Sequence, residues 1–370
     1  MDAVRSEEMM ETCRYEDLRN HFRCPEPPSA HSPWCFWHNP EQAKTRRAVE
    51  EAVARKQNLT GAWLEGVDLS GADLQNVCLY GAVLRFARLD KAKLSRADLR
   101  YSDLTGSSLE GAELEDTLLE GCRLSGASLK GAILRYANMT EATLEGADLT
   151  GADLLSAHMI RAGAEGAILA DVTASLASLW KANLAGARLE RADLVGANLA
   201  GADLRGSVLE EIRFDRTTNF GDVRYDRRTR FRNIDTTTMD PSHYPMLYRD
   251  IRDYQYLEDF ERSHPRIHRV WKLTSDCGRS FLRWLAVYAG TGLFFGGLHA
   301  LLPGTTASSG TEGPLTPFYR SFLHLLTLGG RGAEPASHLG EALLVLESVA
   351  AYILFAGFLS VLFNQFSRRS

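Results

Sequence analysis

From Leu59 to Leu209 every fifth residue is Leu, interrupted only by Met139, Met159, Ala164 and Ala174. Two places before most of these positions stands a small residue, usually Ala, as at Ala62, Ala72, Ala82, Ala92, Ala97 and Ala112 and onward to Ala202. A helix repeats its faces every 3.6 residues and a strand every two, so neither accommodates a strict period of five. A short fixed period that persists over some 150 residues calls for a solenoid in which each turn stacks like side chains on like.

The unit reads Ala-(Asp/Asn)-Leu-x-x, as in Ala72-Asp73-Leu74, Ala147-Asp148-Leu149 and Ala197-Asn198-Leu199. In this it resembles the pentapeptide-repeat family. The resemblance covers residues 58–215 and implies a right-handed quadrilateral β-helix with four repeats per coil. The central Leu and the small residue two before it would both point inward. At ~4.8 Å between coils the rod would be on the order of 37 Å long. Ala164 and Ala174 thin the core, and a local bulge or irregular coil is expected there. Some members of the family mimic DNA and bind topoisomerases, which needs a broad acidic face. Residues 58–215 carry 23 Asp and Glu against 15 Lys and Arg. However, Arg85, Arg88, Lys91, Lys93, Arg96 and Arg100 interrupt the acidic surface. Many of the acids are turn-position Asp, suited to local hydrogen bonding.

The C-terminal part, residues 282–366, has a different character. Trp284 to Leu302 is apolar apart from His299, and Ala342 to Phe363 is apolar apart from Glu347. Each run is long enough to cross a ~30 Å hydrocarbon core as a helix. Between them lies a shorter apolar piece, Pro317 to Leu328, too short to span, followed by Gly329-Gly330-Arg331-Gly332. It reads as a re-entrant half-helix that stops at the glycines, whose backbone can turn carbonyls toward a water-filled path. The half-helix would aim its partially negative end at that cavity, which favours a cation.

The order of span, pore helix, filter and span resembles the two-span potassium-channel-like pore family. Thr327-Leu328-Gly329 matches the start of that family's Thr-Val-Gly-Tyr-Gly filter. The match then departs, with Gly330 in the aromatic position, Arg331 next and Gly332 after it. The resemblance implies a homotetramer around one axis, a permeant ion (potassium or another monovalent) and a filter at Thr327, Leu328, Gly329, Gly330, Arg331 and Gly332. The degenerate filter argues for weak selectivity. His299 is expected to hydrogen-bond inside the bundle or to sense protons. Glu347 is expected to brace the pore helix or to contact the ion directly, since acids within a membrane are functional by default.

Basic residues Arg266, Arg269, Lys272, Arg279 and Arg283 precede the first run and Arg368 and Arg369 follow the second, while the connection holds only Arg320 and Arg331. The positive-inside rule then places both termini in the cytoplasm of a two-pass protein of the cell (inner) membrane. The N-terminus shows no signal-peptide core. A net charge of −5 gives no bulk-charge argument for nucleic-acid binding.

Residues 1–40 hold Cys13, Cys24, Cys35 and His38, spaced Cys-x10-Cys-x10-Cys-x2-His. Three thiols and an imidazole could close a tetrahedral structural zinc site, with His21 and His31 as spare ligands. The alternative is a set of free cytosolic thiols. So short a polar segment has little apolar surface with which to order itself without metal. Residues 41–57 are expected to form a capping helix with Ala43, Val49, Val53 and Ala54 on its apolar face. Residues 216–281 form a linker: loops over 222–243, an amphipathic helix marked by Leu247, Ile251, Tyr254, Leu257 and Phe260, then, after Pro265, a short helix for the membrane surface. No nucleophile elbow, phosphate loop or motif-placed carboxylate pair occurs, so no enzyme is expected. The chain reads as a membrane channel whose cytoplasmic β-helix senses a signal or docks a protein or ligand. The alternatives are a non-conducting membrane-anchored scaffold and a DNA-mimicking topoisomerase binder.

Overall fold

Backbone pairing sets the period of the rod. In the computed structural model, which describes residues 13–19, 22–29, 32–275, 280–302, 316–326 and 337–367, parallel bridges link each side of a coil to the residue 20 places on. They run from Trp63–Val83 to Asp193–Arg213. Twenty residues are four five-residue sides, so four repeats close one coil. Leu129 shows the hydrogen bonding of one side: its N–H donates to Asp148 O at 2.7 Å in the next coil, and Gly131 N donates to Thr150 O at 3.0 Å. The central Leu and the small residue two before it are buried throughout, as the resemblance implied.

The third residue of each side, two after the Leu, turns the corner with positive φ. At Gly106, φ is +66° and a Cβ would lie 2.7 Å from the Phe86 ring of the preceding coil. Non-glycine residues also take this corner, Phe86 and Tyr101 among them, at a cost of roughly 1–2 kcal/mol each. Both lean along the rod over the glycine 20 residues on, Gly106 and Gly121.

Two expectations for the rod are corrected. No bulge occurs at Ala164 or Ala174: both are buried, and the bridges around them keep the offset of 20 (Thr143–Gly163, Gly163–Asn183, Thr173–Asp193). The backbone ladder holds the spacing, so a smaller side chain loses contacts without moving the coil. The β-helix also continues past residue 215. The offset lengthens to 21 at Asn198–Asn219 and Asp203–Arg224. It reaches 22 where strand β3 (Val208–Glu210) pairs in parallel with β4 (Arg230–Arg232). One residue is thus added at each of two corners, and Phe214, Phe220 and Phe231 replace Leu in the last coil's core.

Both ends of the rod are covered. At the far end helix α2 (Pro245–Ser263) buries Leu247 and Ile251. There Tyr254 packs edge-on to Phe231 and Tyr225 donates to Asp250 Oδ2 at 3.0 Å. At the near end a two-residue hairpin pairs β1 (Glu16–Asp17) with β2 (Phe22–Arg23). Helix α1 (Arg46–Ala54) follows, shorter than the expected 41–57. Thr45 caps it, with Oγ1 accepting from Ala48 N, and Lys56 leaves it in left-handed backbone.

The chain divides into two compact units, 1–255 and 256–370. The second holds the end of α2, then α3 (Pro265–Ser275), α4 (Phe281–Leu301), α5 (Thr316–Leu326) and α6 (His338–Ser367). Residues Phe281–Leu301 and His338–Leu359 are each long and apolar enough to cross a membrane. Only 22% and 33% of those stretches is buried within the chain, far less than in the core helix of a soluble protein.

Candidate functional sites

A coil at the end of a β-helix has backbone groups with no next coil to meet them, and buried or edge groups of this kind need partners. Within the rod, the N–H of a residue such as Gly61 donates to the carbonyl 19 places on, Tyr80 O at 2.7 Å. No earlier coil does this for Thr60. Its carbonyl instead faces His38 Nε2 at 2.7 Å. Likewise Trp63 N donates to Trp37 O at 2.7 Å, and Arg46 Nη1 donates to Ser70 O at 2.7 Å. Tyr15 takes the place of a preceding coil's side chain: a Cβ on Gly61, at φ +69°, would lie 2.0 Å from its ring.

This edge brings the four sequence-predicted ligands together. Cys13, Cys24, Cys35 and His38 are all buried, and their ligand atoms lie within 4.8 Å of one another. His38 Nδ1 is 3.4 Å from Cys13 Sγ and 3.1 Å from Cys35 Sγ, and Cys24 Sγ is 3.7 Å from Cys35 Sγ. All three thiols are free. Cys13 Sγ accepts from Cys35 N at 3.2 Å and from Tyr15 N at 3.4 Å. The His38 ring stacks on Tyr15 with centroids 4.0 Å apart and planes 5° apart. Burial pushes the Cys24 and Cys35 thiols up and the His38 imidazolium down, as it must when charge is moved from water without a counter-ion. The spare candidates His21 and His31 lie outside the described residues.

The outward face of the rod is neutralised locally. Asp68, Asp103 and Asp148 each accept from the backbone N–H two residues on, the turn role read from the sequence. Arginines one coil on pair with acids below them, as in Arg85–Glu65 at 2.7 Å, Arg161–Glu141 at 3.2 Å and Arg191–Asp171 at 2.5 Å.

Eight copies of the family profile described as "Pentapeptide repeats" match, over residues 50–85, 78–116, 112–151, 122–159, 137–173 and 175–210. HetL, a pentapeptide repeat protein involved in heterocyst differentiation regulation in the cyanobacterium Nostoc sp. strain PCC 7120, is 33% identical. That match covers 45% of this chain and 82% of HetL, with a TM-score of 0.22. The chain belongs to the pentapeptide-repeat family. A pentapeptide repeat protein of the Arabidopsis thaliana thylakoid lumen is 31% identical over 29% of this chain and 68% of its own, with a TM-score of 0.23. QnrB1, a plasmid-mediated fluoroquinolone resistance protein, is 20% identical over 43% and 90%, with a TM-score of 0.29. No curated protein matches the chain.

The second unit of this pentapeptide-repeat protein places a short helix between two long ones. Helix α5 lies against α4 at two glycines. A Cβ on Gly292 would be 2.6 Å from the Phe322 ring, and one on Gly296 would be 2.7 Å from the Phe318 Cα. This spacing of small residues four apart is how apolar helices come close without a hydrophobic driving force between them. Tyr288 donates to Phe322 O at 3.3 Å, and Trp284 Nε1 donates to Leu354 O of α6 at 2.7 Å.

A polar cluster is buried where the three helices meet. His299 Nε2 lies 3.5 Å from Glu347 Oε2, with the two side chains 3% and 1% exposed. His324 of α5 lies 3.0 Å from Ser348 Oγ of α6. Glu347 thus meets α4 at His299, and its neighbour Ser348 meets α5 at His324. Sequence reasoning passed over His324 and Ser348. The signal available for His324 was its place as the lone His of the short apolar piece. The filter residues Thr327, Leu328, Gly329, Gly330, Arg331 and Gly332 lie outside the described residues.

Proposed function

We propose that this pentapeptide-repeat protein is one subunit of a homotetrameric ion channel of the cell (inner) membrane, a weakly selective cation pore or a non-selective one. Its β-helix would lie in the cytoplasm as a platform for a signal or a docking protein. The observation that carries the reading is α5. At ~1.5 Å per residue its 11 residues reach about 16 Å, half of a hydrocarbon core. Yet it packs against both long helices and leads directly into Thr-Leu-Gly-Gly-Arg-Gly. A simple two-helix anchor has no use for a half-helix held in that position.

The long helices support the same reading. Leu285, Leu293 and Phe294 on α4 and Val345, Val349 and Ile353 on α6 are exposed in the single chain. Those faces suit lipid and sibling subunits. Two spans and one half-helix cannot enclose a path, so several copies must surround it. The basic residues flanking the spans favour both termini in the cytoplasm. Reconstitution into liposomes tests the reading directly. Flux of monovalent cations through the purified protein is expected, and a tight seal at all protein densities would leave a membrane-anchored scaffold in its place.

A further inference from the structure

We propose that Cys13, Cys24, Cys35 and His38 hold a structural Zn2+ ion that fastens the N-terminal segment across the open edge of the first coil. The proposal is independent of whether the C-terminal helices conduct.

The four ligand atoms lie within 4.8 Å of one another, and three of their six separations are close to those of a tetrahedron about zinc. With Zn–S near ~2.3 Å and Zn–N near ~2.0 Å, tetrahedral angles put neighbouring sulfurs roughly 3.8 Å apart and a sulfur and a nitrogen roughly 3.5 Å apart. Cys24 and Cys35 are 3.7 Å apart, and His38 Nδ1 is 3.4 and 3.1 Å from its two sulfurs. Three thiolates and an imidazole form a soft, closed set with no place left for water, the composition of structural rather than catalytic zinc.

The imidazole is also oriented for this role. Nε2 faces a carbonyl, Thr60 O, and a carbonyl only accepts, so the proton sits on Nε2 and the lone pair on Nδ1 points into the thiols. One side chain thus joins the ligand set to the rod's orphan edge carbonyl. The N–H groups of Tyr15 and Cys35 donate to Cys13 Sγ and share the charge of a bound thiolate. Binding releases three thiol protons as Cys13, Cys24 and Cys35 become ligands, with no redox change.

The segment needs such a fastening. Among the described residues between 13 and 40, the regular structure is one pair of two-residue strands, and the buried apolar residue other than the cysteines is Trp37. A bound ion supplies the order that so small a core does not.

The test is the metal content of the full chain, purified in detergent under reducing conditions. Elemental analysis is expected to give about one zinc per chain. Cys24→Ser and His38→Ala should each bring it close to zero. Cys122→Ala, which changes a core cysteine at a position where the repeat ordinarily has Ala, should leave it unchanged. Co2+ in place of zinc should give the intense thiolate charge-transfer and d–d absorption of a four-coordinate site. Removing the ion should expose the bonds after Arg14, Arg19 and Arg23 to trypsin while the repeat stays resistant. A folded full chain that takes up no zinc from a stoichiometric supply overturns the proposal. So does iron in its place, a Cys24–Cys35 disulfide, or zinc retained by both ligand variants. Equal trypsin resistance with and without the ion would remove its fastening role.

Discussion

Leu129 and Lys130 are chain neighbours with opposite surroundings. Leu129 is fully buried in the stack of leucines, while Lys130 reaches outward to Asp148 Oδ2 at 3.3 Å. Leu129→Lys should leave an unpaired charge in the narrow interior and destabilise by about 3–5 kcal/mol. Lys130→Ala removes one exposed ion pair, worth about 0–1 kcal/mol. Thermal melting of a fragment covering residues 1–263 distinguishes them; equal melting temperatures would mean the register is wrong. Corners can be tested the same way. Gly106→Ala and Gly126→Ala place a Cβ at the same φ, +66°, but only the first meets a ring, that of Phe86, and the second meets nothing within 4 Å. Both should lose about 1 kcal/mol for the left-handed backbone, with Gly106→Ala losing more. Equal losses would show that Phe86 simply swings aside.

For whole elements, a period of five declared the rod, because inward Leu and Ala are spaced by the backbone itself. Its end was not legible for the same reason. Two single-residue insertions move Phe220 and Phe231 off the period, so residues from 216 on read as linker, with loops over 222–243, although the backbone at Asn219, Arg224 and Arg230–Arg232 still pairs with the coil below. Helix α1 was legible in outline but not in its bounds, since its start depends on the Thr45 cap. In the second unit, α4, α5 and α6 followed from apolar length alone. Which faces meet did not, because a uniformly apolar helix carries no stripe. Two glycines decide it. Gly292→Val should push Phe322 away and separate α5 from α4, lowering the melting temperature in detergent by several degrees and abolishing flux. Gly290→Ala, with nothing within 4 Å of the new Cβ, should behave as the unaltered chain. If Gly292→Val melts and conducts normally, the packing of α5 on α4 is wrong.

On the scale of the molecule, the chain joins a rod covered at both ends to a unit of two long apolar helices and one short helix. The thiol cluster was legible as four residue types. That they lie at the rod's first coil was not, since no spacing rule ties Cys13 to Thr60. The pore reading leads to the last prediction. Four copies of Thr327 to Gly330 would put backbone carbonyls at the narrowest point, with Arg331 ringing the external mouth. Four guanidinium groups near one axis repel cations over a range set by the ~8–10 Å Debye length, while the half-helix ends attract them deeper in. On that reading Gly330, where the resembled filters carry an aromatic, would leave the backbone without side-chain buttressing, and potassium and sodium would both be expected to pass. Arg331→Glu should raise cation over anion permeability, most at low salt, and Gly329→Val should stop conduction by crowding the axis. Reversal potentials under a potassium/sodium gradient decide between outcomes. Tight potassium selectivity in the unaltered protein, or a reversal potential indifferent to Arg331→Glu, would place the filter elsewhere.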